Sequence, residues 1–321
     1  MLNLILKRLA YAAILLLAVI TLNFLLIHIS PGDPVETIAG SMGGMSEELR
    51  AQLREQFGLD KPFIVQLGIY LGKIVQGDFG MSYYFNAPVA ALIWERIPAT
   101  LLLVVVSVLL AFIVGTLLGS LAARRPNGLL SQIVTILSIV GYSAPVFWTG
   151  IVLIILFASA FPIFPVSDMR TAGMDEGGLA GVLDVLHHLV LPASTLAFVY
   201  VAQYSRLARA SMIDALSADY IRTARAKGLS EFIVLYKHAL RNGVLPVVTM
   251  LGLQFGNVLA GAILVETVFN WPGLGRLAFD SVLRRDYPTM LGILFFASLL
   301  VVVMNQLTDL AYRIIDPRIK T

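Results

Sequence analysis

Six stretches of this sequence are each long and apolar enough to cross a lipid bilayer, and they constrain what the chain can fold into more than anything else in it. They lie near residues 9–29, 98–123, 132–158, 189–209, 246–266 and 289–312. A hydrocarbon core about 30 Å thick is crossed by about 20 helical residues. Inside it no water can satisfy a backbone amide or carbonyl, so each run is predicted to be a helix. Charged residues make up only 13% of the chain, against about 25% in a soluble domain. The expected architecture is an all-α integral membrane protein with six transmembrane helices. Lys7 and Arg8 precede the first run, as in a signal peptide. That run is too long for one and lacks a small-x-small cleavage site, so a retained helix is expected.

The charge of the connecting loops sets the expected orientation. If the amino terminus is cytoplasmic, the inside loops are 1–8, 124–131, 206–245 and 313–321, and they hold 14 Lys and Arg against four acids. The short loops carry the clearest bias, with Arg124 and Arg125 inside and four acids against one arginine in 159–188. Both termini are therefore expected in the cytoplasm. The long first external loop, about 30–96, opens with the turn cluster SPGDP. It continues with a helix over 46–57 capped by Ser46, then Gly77-Asp78-Phe79-Gly80 and the aromatic cluster Tyr83, Tyr84 and Phe85.

Polar side chains inside spans must face protein or water. Tyr142, Ser143, Gln203, Gln254 and Asn257 are the candidates for a hydrated pathway. Gln254 and Asn257 lie three apart on one helical face, and hydrogen bonding between helices is the alternative use of such groups. Gly115-x3-Gly119 and Gly252-x3-Gly256 permit close helix approach, within the chain or against a partner subunit. Asp309 is placed to pair with Arg313 one turn on.

Much chemistry is excluded. No G-x4-G-K-[ST] phosphate cradle occurs, nor G-x-S-x-G or H-E-x-x-H. The chain has no cysteine, and His187-His188 is adjacent rather than at ligand spacing. Neither a catalytic group nor a resident metal or cofactor is expected, so the chain is read as a non-enzyme. No dense basic face for nucleic acid is available either. Paired intramembrane charges of a proton-driven pump are missing, so energy for uphill transport would have to come from another polypeptide.

One polar island stands out, residues 217–246. It is predicted to be two short helices. Ser217 caps the first, Asp219 lies in its first turn, Arg225 and Lys227 in its last, and Gly228 stops it. Ser230 caps the second, whose Phe232, Leu235, Tyr236, Ala239 and Leu240 fall on one face. Gly243 ends it and Pro246 forbids its continuation.

This island resembles the coupling motif of ABC-importer permeases, with Gly228 at the motif glycine and Leu245-Pro246 at its end. Its Arg222-Thr223-Ala224 departs from the usual Glu-Ala-Ala, and its spacer is longer, as in the peptide and nickel subgroup. KRLAYAAILLLAVITLNFLLIHISPGDP, GDFGMSYYFNAPV, IPATLLL, YSAPVFWTGI and ETVFNWPGLGRLAFDSVLRRDYP are similar to that subgroup as well, so the likeness runs the length of the chain. The resemblance implies a type I importer fold, with 1–95 as a first helix plus external loop, 96–313 as the permease core and 314–321 as a cytoplasmic tail. It implies a bacterial or archaeal cell membrane and peptides, or a related solute such as a nickel chelate, as cargo. It also implies a second homologous permease, two ATPase subunits that consume ATP-Mg, and an extracytoplasmic solute-binding protein as partners, beside membrane lipid. By position, Asp219, Tyr220, Arg222, Thr223, Ala224, Arg225, Ala226, Lys227, Gly228 and Leu229 would couple to the ATPase. Arg222, Arg225 and Lys227 would offer charge, and Ala224, Ala226 and Gly228 close packing. The rival readings are a stand-alone secondary transporter or channel, which calls for inverted repeats and intramembrane charge, and an intramembrane enzyme, which calls for a nucleophile or metal constellation.

Overall fold

A computed structural model describes the backbone of residues 2–29, 46–57, 60–82, 84–173 and 177–315, with isolated positions between 35 and 44. Side chains of residues 1–9, 26–28, most of 252–260 and those beyond 306 are outside the described set. The SPGDP turn, Tyr83, the Asn257 side chain, the Gly252-x3-Gly256 contact and the Asp309–Arg313 pairing therefore lie outside it.

The regular secondary structure described is helical apart from one hairpin of two-residue strands. Its helices are α1 Leu2–Ile29, α2 Glu47–Phe57, α3 Phe63–Val75, α4 Val89–Ala123, α5 Leu129–Ser143, α6 Val146–Ala160 and α7 Gly178–Ser217. They continue as α8 Asp219–Ala226, α9 over 231–243, α10 Leu245–Val268, α11 Leu274–Arg284 and α12 Tyr287–Ile315. Among the described residues three helices are long and apolar enough to cross a membrane, and four if the bent pair α5–α6 counts as one span. The other two apolar runs are occupied by α1 and α10.

The run at 132–158, expected as one helix, is in fact two, bent by 108°. Pro145 is the cause. Its ring disfavours helical geometry in the residue before it, and Ala144 takes φ −76°, ψ 130°. The expected start of the next earlier span also shifts, because α4 begins at Val89 and carries Pro98 inside it. α3 lies within the stretch expected as external loop. The cap at Ser46 is present, with the Leu49 amide donating to Ser46 Oγ at 3.3 Å.

Two compact units emerge, one of residues 1–98 with 276–303 and one of 99–275 with 304–321. In the first, Phe24 of α1 meets Phe63 and Tyr70 of α3, with centroids 5.1 and 5.7 Å apart. Strands β1 Met81–Ser82 and β2 Ala87–Pro88 form the hairpin. The Ser82 hydroxyl donates to the buried Asp286 carboxylate at 2.5 Å, and Thr289 donates to the same oxygen at 2.7 Å. Arg284 lies over the Tyr84 ring, 4.6 Å from its centroid.

In the second unit α7 is the central helix. Its 40 residues amount to about 60 Å at 1.5 Å per residue, twice the hydrocarbon core. A side chain at Gly115 would meet Tyr204 Cβ at 2.6 Å, and one at Gly119 would meet the Ser205 carbonyl at 2.4 Å. Gly115-x3-Gly119 is thus a seam inside the chain, between α4 and α7, rather than a surface for a partner.

Candidate functional site

The polar island packs at the end of α7, on a core it shares with Ala123 and Met212. The first helix starts one residue later than expected. Ala218, not Ser217, occupies the cap position, and the Ser217 hydroxyl donates back to the Asp214 carbonyl at 2.8 Å. Ile221 (0% exposed) and Ala224 (5%) face a core made with Ala123, Met212, Val234, Leu235 and Ala239. Asp219, Tyr220, Arg222, Thr223, Arg225, Ala226, Lys227 and Gly228 are exposed, and Leu229 is half-buried. Ala224 therefore owes its small size to this core. Gly228 takes φ +74°, the left-handed conformation of a helix C′ glycine, and its amide donates to the Arg225 carbonyl at 2.9 Å.

α9 departs from the expected face. Its middle turn, Val234–Ala239, is a π-helix, whose wider turn rotates the register of the following residues. Val234, Leu235 and Ala239 are buried, while Phe232, expected on the inner face, is 70% exposed. Phe232 instead lies against Tyr236, with centroids 4.6 Å apart. Ser230 holds the cap position without a side-chain hydrogen bond. Gly243 is buried at the end of α9, where a Cβ would meet Met212 Sδ at 2.6 Å, and Pro246 sits in the first turn of α10.

The charges of the island are arranged in pairs. Arg225 Nε and Nη2 donate to the two oxygens of Glu231 at 2.8 and 3.2 Å, a two-point clasp between α8 and α9. These hydrogen bonds hold the Glu231 carboxyl below its ordinary range and the guanidinium above its own. Arg222 pairs with Asp219 within α8. Of the three cations expected to be offered outward, two thus have carboxylate partners within the chain. The Arg225–Glu231 clasp was legible only as a pair of opposite charges six apart.

The pathway candidates divide. The Gln254 amide of α10 donates to the Gln203 carbonyl oxygen of α7 at 2.5 Å, which is the interhelical hydrogen bond weighed as their alternative use. Tyr142 and Ser143 are exposed beside the α5–α6 break. Asn257 is on α10. His187 and His188 bond the carbonyls of Ile163 and Asp184 at 2.9 and 2.8 Å, and among the described residues no group of three metal-ligating side chains occurs.

A second polar site had only a motif to announce it. Glu266, at the end of α10, is fully buried and accepts the Thr100 hydroxyl at 2.7 Å. The Leu274 amide donates to the same Thr100 oxygen at 2.8 Å. Trp271 donates from its indole to the Ala99 carbonyl and from its amide to the Glu266 carbonyl, both at 2.8 Å. IPATLLL and ETVFNWPGLG are therefore two halves of one knot.

Comparison with known proteins places this membrane bundle in a family. The model of the family described as binding-protein-dependent transport system inner membrane component matches residues 115–321, and its amino-terminal companion matches 1–104. The chain belongs to this family. It is 40% identical over 317 residues to the oligopeptide transport system permease protein AppB of Bacillus subtilis, covering 98% of each chain. It is 40% identical to the dipeptide transport system permease protein DppB of Escherichia coli K12, covering 100% of this chain and 99% of that one. Among solved structures, a chain of the methionine ABC transporter in an inward-facing conformation matches with a TM-score of 0.55 at 16% identity, covering 70% of this chain and 96% of that one. The fold is that of ABC-importer permeases of type I, in an inner-membrane component.

Proposed function

We propose that this chain forms half of the translocation pathway of a peptide importer and that 219–229 is the lever through which ATPase subunits drive it. The observation that carries the reading is the exposed ridge of α8. Asp219, Tyr220, Arg222, Thr223, Ala226 and Lys227 face outward, while Ile221 and Ala224 root the helix in the core below. A short helix so rooted moves with α7 as a rigid body, which is what a lever requires. The partners are a second homologous permease, two ATPase subunits that hydrolyse ATP, and an extracytoplasmic binding protein that delivers the peptide. The chain itself catalyses nothing and holds no cofactor. Both termini and the island face the cytoplasm. Residues 1–95 carry the first helix and the external loop, and 96–313 carry the permease core. ATP binding closes the ATPases, draws the paired levers together and opens the pathway outward; hydrolysis resets it.

The test is Gly228→Leu. Nothing lies within 4 Å of a Cβ there, so the substitution acts through backbone strain of about 1–2 kcal/mol and through the bulk offered to a partner. The variant is expected to insert normally, lose peptide uptake and fail to retain the ATPase on purification. Peptide-stimulated ATP hydrolysis surviving in a complex that contains it would sink the lever assignment.

A further inference from the structure

α4 and α5 each approach α7 closely, and between them a groove of about 300 Å³ lies open along the face of the bundle. Leu110, Val114 and Leu118 form one wall, a turn apart, and Val134 and Leu137 the other. Its floor is α7 from Ser194 to Ser205. Two of the hydroxyls along it, Ser138 and Ser205, are engaged within the protein. Ser138 donates to the Val134 carbonyl at 2.7 Å and shares a 2.9 Å bond with Ser205. What remains is a largely apolar slot with rims that face outward, Leu110 being 37% and Leu137 50% exposed.

The slot ends in arginine. Continuing the floor by one turn, Ala202 leads to Arg206 and Ser205 to Arg209, about 6 Å further along the helix axis. Arg206 is exposed and makes no ion pair among the described residues. Arg209 donates to Ser131 Oγ at 2.7 Å and to the Pro126 carbonyl at 3.0 Å. That fixes it beside the 124–128 turn, where Arg125 is exposed too. The next acid along α7 is Asp214, more than a turn beyond. An apolar slot running into unneutralised cations is complementary to one kind of molecule, a chain-bearing anion. Basic pockets between membrane helices take anionic lipid headgroups for this reason.

We propose that the groove between α4 and α5 is a binding site for an anionic phospholipid, with one acyl chain along Val114 and Ala197 and the phosphate at Arg206 and Arg209. The lipid fills a gap that would otherwise leave the walls of both helices without contacts, and it ties α5, next to the 108° break, to the base of α7. The assignment is independent of which solute crosses.

The full chain is purified and equilibrated in detergent with phosphatidylglycerol or phosphatidylcholine of identical acyl chains, and bound lipid is counted by native mass spectrometry. Wild type is expected to retain phosphatidylglycerol about fivefold over phosphatidylcholine, the weight of roughly one arginine near an anionic surface. Arg206→Gln removes that preference and keeps the chain-dependent retention. Val114→Phe fills the slot and lowers retention of both lipids. Ser194→Leu, at the opposite end of the floor, does the same if Val114→Phe fails to fold. Equal retention of both lipids by wild type, or retention unchanged in the filled variants, overturns the proposal. So does Val114→Phe releasing a second permease chain while lipid stays bound, because the groove is then a subunit interface.

Discussion

The island at 217–246 and the knot around Glu266 both join helix ends in the same compact unit, and they handle charge in opposite ways. In the island every ionic partner is exposed. Arg225 and Glu231 keep side-chain exposures of 44% and 55%, so water screens the pair and either group is replaceable at small cost. In the knot one carboxylate is taken wholly out of water and held by a hydroxyl, and its neighbours are shaped around it. A Cβ at Gly273 would lie 2.3 Å from the Glu266 carboxylate, and one at Gly275 would lie 2.6 Å from Ile263 Cα. The difference teaches where the unit is permitted to move. A surface proposed to dock and release keeps its charges wet. A joint that must hold α4, α10 and the turn after it in one register buries them, because a desolvated hydrogen bond is costly to break.

The sharpest way to break this contrast is at Gly273. Gly273→Ala places a methyl group on top of the carboxylate, with no room to yield in a fully buried site. A loss of about 3 kcal/mol is expected, from overpacking and a broken bond to Glu266 together. It is read as a collapse of the thermal midpoint or of the monodisperse yield in detergent. Thr100→Val comes next. It keeps the volume and removes the one oxygen that both donates to Glu266 and accepts the Leu274 amide, leaving two buried groups short of a partner. About 2 kcal/mol is expected, with Thr100→Ser recovering most of it. If Thr100→Val is as stable as wild type, the knot is not a joint and the comparison fails.

The two regions were unequally legible in the sequence. The island announced itself because helix caps are local. Gly228 stops α8 through its own left-handed backbone, which the sequence shows locally, whereas Gly243 is small because it packs on the distant Met212. Phe232 was misplaced because a π-turn depends on packing against Met212 and Ala123, far away in sequence, which no 3.6-residue periodicity reports. The break at Ala144–Pro145 was legible in principle, since proline restricts its predecessor, but the surrounding apolar run argued more strongly for one span. The knot was visible only as two motifs, 166 residues apart at Thr100 and Glu266. Nothing local distinguishes a glutamate that ends a span from one that is swallowed by it. The pairing of Gln203 with Gln254 had the same difficulty, since sequence gives the face of each helix but not which faces meet.

That pair gives an intermediate test. Gln254 is 5% exposed, so Gln203→Leu alone removes a buried interhelical hydrogen bond and is expected to cost about 1–2 kcal/mol. The double change Gln203→Leu, Gln254→Leu restores stability if the pair only joins α7 to α10. Peptide uptake separates the roles. Uptake that recovers with stability marks a structural bond, and uptake that stays lost in a stable double variant marks a lining of the pathway.

The smallest effect belongs to the Arg225–Glu231 clasp, and its pH dependence is what identifies it. The guanidinium hydrogen bonds lower the folded-state pKa of Glu231. A carboxyl with a depressed folded pKa binds its proton more readily when unfolded, so its stabilisation is complete above the unfolded value, about 4.3, and is lost as pH falls through the folded one. Arg225→Gln should therefore differ from wild type near neutral pH and become indistinguishable from it in acid below the ordinary carboxylate range. Limited proteolysis across 226–231 in both proteins, from pH 7 down to pH 3, measures the gap. The reciprocal exchange Arg225→Glu with Glu231→Arg should close it again, because a screened surface pair needs only opposite charges in reach. The same exchange applied to a contact with a partner ATPase would not be silent. An exchanged variant that regains protease resistance but loses ATPase retention would show Arg225 facing the partner as well as the chain, and would narrow the contrast between a wet docking surface and a dry joint to the residues that do both.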